Sequence, residues 1–117
     1  CAVSSANSLV GGSLDDQIGS GGVTVLTNGN YVVNSPEANL VDGQGAVTWG
    51  NGATGMSGVV SSSNSLVGGT NVGTTGWDTD HILALPDGDY LVANPNCNYR
   101  TGVVTRGNGS VGTAGVI

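Results

Sequence analysis

Short runs of apolar residues, separated by glycine-rich polar turns, occur along the whole chain. In the first half the runs are Val23–Leu26, Tyr31–Asn34, Ala46–Trp49 and Met56–Val60. No window shows apolar residues at the i, i+3, i+4, i+7 spacing of an amphipathic helix. The pattern therefore predicts an all-β fold of short strands. Pro36 is expected to stop the second strand, with residues 37–44 forming a loop.

The strand pattern occurs twice. Residues 6–12 recur at 63–69 and residues 45–52 recur at 102–109, both at an offset of 57. Leu26-Thr-Asn-Gly-Asn-Tyr31 recurs as Leu85-Pro-Asp-Gly-Asp-Tyr90 at an offset of 59. The difference falls in predicted loops, where changes in length cost little. We therefore expect two repeats, a first copy over residues 1–60 and a second copy over residues 61–117.

Each copy is predicted to form a four-stranded antiparallel meander. Asn28-Gly29 and Asp87-Gly88 lie between apolar runs, and both pairs favour type I′ hairpin turns, which need two residues with positive φ. The third and fourth strands are expected to pair across the glycine-rich turns at 50–55 and 107–112.

A tandem four-stranded meander of this length matches a β-propeller blade, so the predicted fold is two propeller-like blades. A β-solenoid or a stacked-sheet repeat is the structural alternative. Neither sheet can bury both of its faces alone, so further copies are needed, supplied by other chains or by a longer chain. The copies would close into a ring or continue as a fibre. Residues 1–3 are in phase with the end of each copy and are expected to complete a strand of a neighbouring copy.

The charge balance excludes several kinds of partner. The net charge is −6, with eight acidic residues against two Lys and Arg residues, which disfavours nucleic acids and anionic membranes. No apolar run approaches 18 residues, so no transmembrane span is predicted. Few charges among many Gly, Ser, Asn and Thr residues are typical of secreted proteins, and we expect an extracellular or cell-surface location.

Residues 6–11, 21–36 and 45–52 resemble an uncharacterised repeat that occurs in tandem in large bacterial extracellular proteins, including filamentous-hemagglutinin-like surface proteins. The similarity is close in the first copy and looser in the second, where Arg106 replaces Trp49. The resemblance implies a secreted or surface-displayed repeat module without known chemistry. It assigns no functional residue.

The chain offers little for catalysis or for binding a metal. His81 is the only histidine and Glu37 the only glutamate, so neither a hydrolytic triad nor a glycosidase carboxylate pair is indicated. Asp78 and Asp80 beside His81 are too few for a calcium loop. We expect no enzymatic activity, no metal and no cofactor. Asp15-Asp16 and Asp87-Gly-Asp89 are interpreted as turns.

Two loops of the second copy combine aromatic with polar side chains, as carbohydrate sites do. Their residues are Trp77, Asp78, Asp80, Tyr99 and Arg100. A lectin-like carbohydrate-binding module, formed by oligomerised copies, is therefore the alternative function. Tyr31 and Tyr90 occupy equivalent strand positions and are interpreted as packing residues.

Cys1 and Cys97 are the only cysteines, and we expect them to form a disulfide within or between chains in an oxidising compartment. A lipidated Cys1 is the alternative. Asn108-Gly-Ser110 is a glycosylation sequon. The function predicted overall is a non-enzymatic extracellular structural module that assembles head to tail with copies of itself into a ring or fibre, with a surface or adhesion role.

Overall fold

The computed structural model describes residues 3–40, 43–69, 82–94 and 102–116, and within these ranges the secondary structure consists of strands and turns. The strands are β1 (Leu9–Val10), β2 (Val23–Val25), β3 (Tyr31–Leu40), β4 (Gly43–Gly50), β5 (Gly58–Val59), β6 (Ser65–Gly69), β7 (Ile82–Ala84), β8 (Tyr90–Asn94), β9 (Val103–Gly107) and β10 (Gly115–Val116). The all-β prediction is confirmed.

The strands form three sheets. The largest has five strands in the order β10-β6-β4-β3-β2, the second has the order β7-β8-β9, and the third is the pair β1-β5. Neighbouring strands are antiparallel except in the pairs β1-β5 and β6-β10, which are parallel. The five-stranded sheet thus contains three strands of the first copy and two strands of the second.

The predicted four-stranded meander is wrong in its last strand. β5 pairs with β1 of the same copy, Leu9 opposite Gly58, and β10 pairs with β6 in the equivalent register, Leu66 opposite Gly115. Gly55 and Gly58 have φ of +77° and +115°, and these left-handed residues redirect the chain after β4. The place beside β4 is taken by β6 of the second copy. Propeller blades as predicted are therefore not confirmed.

Both hairpins form where they were expected, but with a different turn. Gly29 has φ of +88°, whereas Asn28 is not among the residues with positive φ, so a type I′ turn is ruled out. Gly29 N–H donates to Leu26 O at 3.1 Å, and Leu26 N–H donates to Asn30 O at 2.8 Å. These bonds define a type I turn followed by a glycine bulge, which needs only one positive φ. The hairpin between β7 and β8 repeats this geometry around Gly88.

Pro36 does not end its strand, because β3 continues to Leu40. The pairing of β3 with β4 shifts register between Ser35 and Asn39, and Pro36 lies within that irregular stretch. A bulge tolerates proline because the missing N–H removes no regular ladder bond. Most of the loop predicted for residues 37–44 is therefore strand.

Two sheet faces organise the packing. Side chains alternate between faces along a strand, and directly paired residues share a face. Face A is the side that carries Val32 and Val47 in the first copy, and Leu91 and Val104 in the second. Face B is the opposite side, which carries Tyr31 and Val33 in the first copy, and Tyr90 and Val92 in the second.

The main core lies between the two copies. Face A of the first copy contributes Val32 and Val47, joined by Leu66 of β6, and face B of the second copy contributes Tyr90 and Val92. A smaller cluster of Ala38, Ala46 and Val60 includes Leu9 of β1, so the β1-β5 pair packs on part of face B of the first copy. The layers therefore stack in one direction along the chain.

The expectation that residues 1–3 complete a neighbouring strand stays a prediction. Val3 is exposed and lies outside the strands, while residues 1 and 2 lie outside the described ranges.

Candidate functional site

Most of the predicted site residues lie outside the described part of the chain. This holds for the carbohydrate candidates Trp77, Asp78, Asp80, Tyr99 and Arg100, for His81, and for both Cys1 and Cys97. Asn108 is described and exposed, and its side-chain oxygen accepts hydrogen bonds from the N–H groups of Ser110 and Val111. Its glycosylation stays a prediction.

Asp16 was interpreted as part of a surface turn, and this is wrong. Its side chain is buried, and its two carboxylate oxygens accept hydrogen bonds from Ser13 N–H at 2.8 Å and Asn39 N–H at 3.0 Å. Asp15, by contrast, is exposed and has φ of +64°. The reason is local: the positive φ of Asp15 turns the chain so that the next carboxylate enters the sheet and binds backbone N–H groups that would otherwise be unpaired.

The contact between the two copies joins unlike faces. Tyr90 is fully buried, and its ring lies over Gly107, its partner across the strands. A Cβ at Gly107 would come within 2.0 Å of that ring, so only glycine fits there. Ile82 and Ala84 pack beside this ring against the same cluster. The second copy therefore uses face B to cover face A of the first.

Because the contact joins unlike faces, one face of each kind stays uncovered. On face B of the first copy, Val23 and Val25 are 60% and 71% exposed, whereas their equivalents Ile82 and Ala84 pack into the core. On face A of the second copy, Val104 is 65% exposed, whereas its equivalent Val47 is fully buried. The two open surfaces have the residue types of the two surfaces that already contact each other.

A polar contact joins the rims of the two copies. The carbonyl oxygen of Gly109, in the second copy, accepts three hydrogen bonds from the first copy. The donors are Asn28 Nδ2 at 2.7 Å, Asn30 Nδ2 at 2.8 Å and Trp49 Nε1 at 2.9 Å. Because three side chains of the first copy donate to one backbone oxygen of the second, these bonds fix the orientation of one copy relative to the other.

The second copy replaces these three donors by a charged cluster. Asp87, Asp89 and Arg106 stand where Asn28, Asn30 and Trp49 stand in the first copy. Arg106 Nε donates to Asp89 Oδ2 at 2.9 Å, and its Nη2 contacts both aspartates. The hydrogen bond from Gly109 N–H lowers the pKa of Asp89 below its ordinary value, and the hydrogen bond from Arg106 lowers it further.

Each copy has a groove beside its first strand, and the grooves are equivalent. The groove of the second copy, about 270 Å³, lies between residues 63–64 and 111–114, and Trp49 of the first copy is in its wall. The groove of the first copy, about 500 Å³, lies between residues 6–9 and 54–57 and is also lined by Tyr31.

Burial raises the pKa of the Tyr90 hydroxyl above its ordinary value. Thr113 lies near enough to offset part of this shift, although no hydrogen bond of normal geometry reaches the hydroxyl from the described residues.

Among the described residues there is no group of three potential metal ligands. They include no helix of the length and apolarity that crossing a membrane requires.

The sequence contains a signal for the open surfaces that the strand pattern alone does not show. Val47 and Val104 have the same place in the repeat, so any difference in their burial must come from what lies outside each copy. The face that each strand presents depended on the strand pairing, which was predicted wrongly for the last strand.

The chain was compared with known proteins. The model of a family described as a repeat of unknown function, DUF5650, matches residues 1–20, 25–78 and 84–117. No curated protein and no solved structure matches the chain. The matched ranges cover most of both copies, so the tandem repeat is established.

Proposed function

The chain belongs to the repeat family of unknown function DUF5650, and from that premise we propose that it is a non-enzymatic structural module that stacks head to tail with further copies of itself. The observation that carries this proposal is the contact of face A of the first copy with face B of the second. A contact between unlike faces leaves one of each exposed, so the same contact can be made again at both ends.

The exposed surfaces support stacking because they are apolar. Face A of the second copy presents Leu83 and Val104, both more than half exposed, and face B of the first copy presents Val23 and Val25. Burial of such side chains stabilises an association by about 25 cal/mol for each Å² removed from water. Terminal repeats that end an array normally carry a polar outer face, and these two surfaces do not.

The module we propose works outside the cell or at its surface, in an adhesive or scaffolding role. The low content of charged residues supports this location, as does the resemblance to repeats of extracellular proteins. A contact between unlike faces closes into a ring when the rotation between copies is right, and otherwise continues as a fibre.

Two charged variants test the direction of stacking. Val104→Lys places a charge on face A of the second copy, and Val25→Lys places one on face B of the first. Leu14→Lys is the control, since Leu14 is 94% exposed in a turn and belongs to none of the strands that form the two faces. Light scattering at matched concentrations gives the mass of each protein and of the mixtures.

We expect each face variant alone to be monomeric, because every contact would join an intact face to a charged one. An equal mixture should form a dimer and stop there, since it restores one contact between two intact faces. Leu14→Lys should assemble as the unmodified chain does. If Val25→Lys alone associates as strongly as the unmodified chain, two chains contact each other through the same face, and the proposal is wrong.

A further inference from the structure

The strand order shows how one copy is joined to the next. β4 of the first copy has β6 of the second copy on its outer side, with Ala46 opposite Val67, Val47 opposite Leu66 and Thr48 opposite Ser65. This pairing is antiparallel and crosses the boundary between the copies. β6 in turn pairs with β10, so the second copy supplies two strands to the sheet of the first.

Within the described ranges, the equivalent edges of β9 and β1 have no strand beside them. β9 is the equivalent of β4, and its described strand neighbour is β8. β1 is the equivalent of β6, and its described strand neighbour is β5. The described strands thus form one five-stranded sheet and the two parts of a second one, the three strands β7-β8-β9 and the two strands β1-β5.

The open edges carry the same side chains as the closed joint at every position except one, where Val103 replaces Ala46. Val103-Val104-Thr105 is the repeat equivalent of Ala46-Val47-Thr48, and Ser8-Leu9-Val10 is the repeat equivalent of Ser65-Leu66-Val67. In the closed joint the hydroxyl oxygens of Thr48 and Ser65 lie 2.6 Å apart, and both residues are fully buried. Their equivalents Thr105 and Ser8 are only half-buried, which is the state expected of an unformed pair.

We propose that β9 of one chain pairs antiparallel with β1 of a second copy of the chain, in the register Val103 opposite Val10, Val104 opposite Leu9 and Thr105 opposite Ser8. The joint completes a second five-stranded sheet of the same strand order. This inference rests on the proposed head-to-tail stacking and specifies its atoms. Edge strands take up an added strand through their unpaired backbone groups, and β9 has neither the proline nor the lysine that usually prevents this.

The position of β1 supports the joint. Leu9 already packs with Ala46 and Val60, so β1 lies in the layer that covers face B of the first copy. A β9 strand added beside it belongs to that same layer, and face A of the added sheet would then lie over Val23 and Val25. One joint therefore covers both of the open apolar surfaces.

The rim contact is consistent with the same joint. Gly52 is the equivalent of Gly109, and the first-copy groove is the equivalent of the one that Trp49 enters. In the joined state, Arg106 of the chain that supplies β9 takes the place of Trp49 at this groove of the chain that supplies β1. Its guanidinium has five N–H groups, more than its contacts with the two aspartates use, so it can donate to the carbonyl oxygen of Gly52.

Disulfide trapping tests the register with four variants. Each carries one new cysteine in a Cys1→Ser, Cys97→Ser background: Ser8→Cys, Val10→Cys, Val103→Cys or Thr105→Cys. Two mixtures match the proposed register, Thr105→Cys with Ser8→Cys and Val103→Cys with Val10→Cys. The exchanged mixtures, Thr105→Cys with Val10→Cys and Val103→Cys with Ser8→Cys, use the same proteins and are the controls. Circular dichroism against the parent background checks that each variant keeps its sheets.

We expect both matched mixtures to form disulfide-linked dimers at least tenfold faster than both exchanged mixtures. Directly opposed residues in an antiparallel pair are close enough for a disulfide, whereas partners two residues apart are too distant. Equal rates in the four mixtures, or the fastest dimer formation by Thr105→Cys alone, would overturn the register. Light scattering of the parent background separates the two proposals. Association without matched trapping refutes this inference alone, whereas a monomer at every concentration refutes head-to-tail stacking as well.

Discussion

Val47 and Val104 have the same place in the two copies, but truncating each of them to alanine should affect a different quantity, the folding stability for one and the association between chains for the other. Val47 is fully buried in the core between the copies, and Val104 is 65% exposed at the end of the stack. Val47→Ala should therefore destabilise the folded chain, whereas Val104→Ala should chiefly weaken association between chains.

The magnitude follows from burial. Removing two buried methyl groups costs about 1.6 kcal/mol in transfer free energy, and the cavity that remains raises the total to about 2–3 kcal/mol for Val47→Ala. At Val104 the same truncation changes the free energy of unfolding by no more than about 0.5 kcal/mol, the usual limit for exposed sites. If Val104 is buried on association, its loss weakens the contact by about 1 kcal/mol, or roughly fivefold in Kd.

Urea unfolding followed by circular dichroism measures the first quantity, at a concentration where light scattering shows monomers. Light scattering over a range of higher concentrations measures the second. An unfolding cost for Val104→Ala as large as that for Val47→Ala would contradict the exposure of Val104, because face A of the second copy would then be covered within its own chain. A cost below about 1 kcal/mol for Val47→Ala would contradict the packing of one copy on the other.

Three further predictions concern single sites. Gly107→Ala should destabilise the fold by about 3 kcal/mol or more, measured by urea unfolding, because the new Cβ would overlap the Tyr90 ring; an unchanged midpoint would contradict that contact. Asp16→Ala should cost about 2–4 kcal/mol by the same measurement, because two backbone N–H groups lose a charged acceptor, whereas Asp16→Asn should recover part of it. The raised pKa of Tyr90 means that the folded state favours the neutral phenol, so stability should fall as pH rises above the ordinary tyrosine value of about 10, and Tyr90→Phe should remove this dependence in thermal unfolding at several pH values.

A second titration should occur in acid. Since the folded state lowers the pKa of Asp89, its contribution to stability is present above the ordinary aspartate value and is lost as pH falls through the lowered one. Asp89 is only partly buried and its partner Arg106 is exposed, so the effect should be small and should decrease with added salt. Arg106→Gln should weaken this acid dependence; an unaltered pH profile in that variant would contradict the role of the ion pair.

The sequence predicted the strands well because their signals are local. Alternation of apolar residues, Asn28-Gly29 and its equivalent Asp87-Gly88 all act within a few residues, and the strands and hairpins formed where those signals lay. The repeat was also readable, and the family match confirms it. What the local signals did not contain was the choice of partner for the strand at Gly58–Val59.

That choice depends on contacts between copies. β5 pairs with β1 because β6 of the second copy already occupies the place beside β4, and a pattern within one copy cannot show this competition. The burial of Asp16 was missed for a separate reason within the first copy, because its partner Asn39 lies on a strand that was predicted as a loop. The predicted carbohydrate residues fall outside the described ranges, and the lectin-like alternative stays a prediction.

The mass of the unmodified chain in solution tests head-to-tail stacking most directly. Light scattering over a wide range of concentration, with negative-stain images of the same samples, distinguishes single chains from closed rings and from filaments. Head-to-tail stacking predicts masses that are multiples of 11.4 kDa and grow with concentration, ending either in one discrete ring or in filaments. A constant mass of 11.4 kDa at every concentration would contradict it, because the two open faces would then have no affinity for each other.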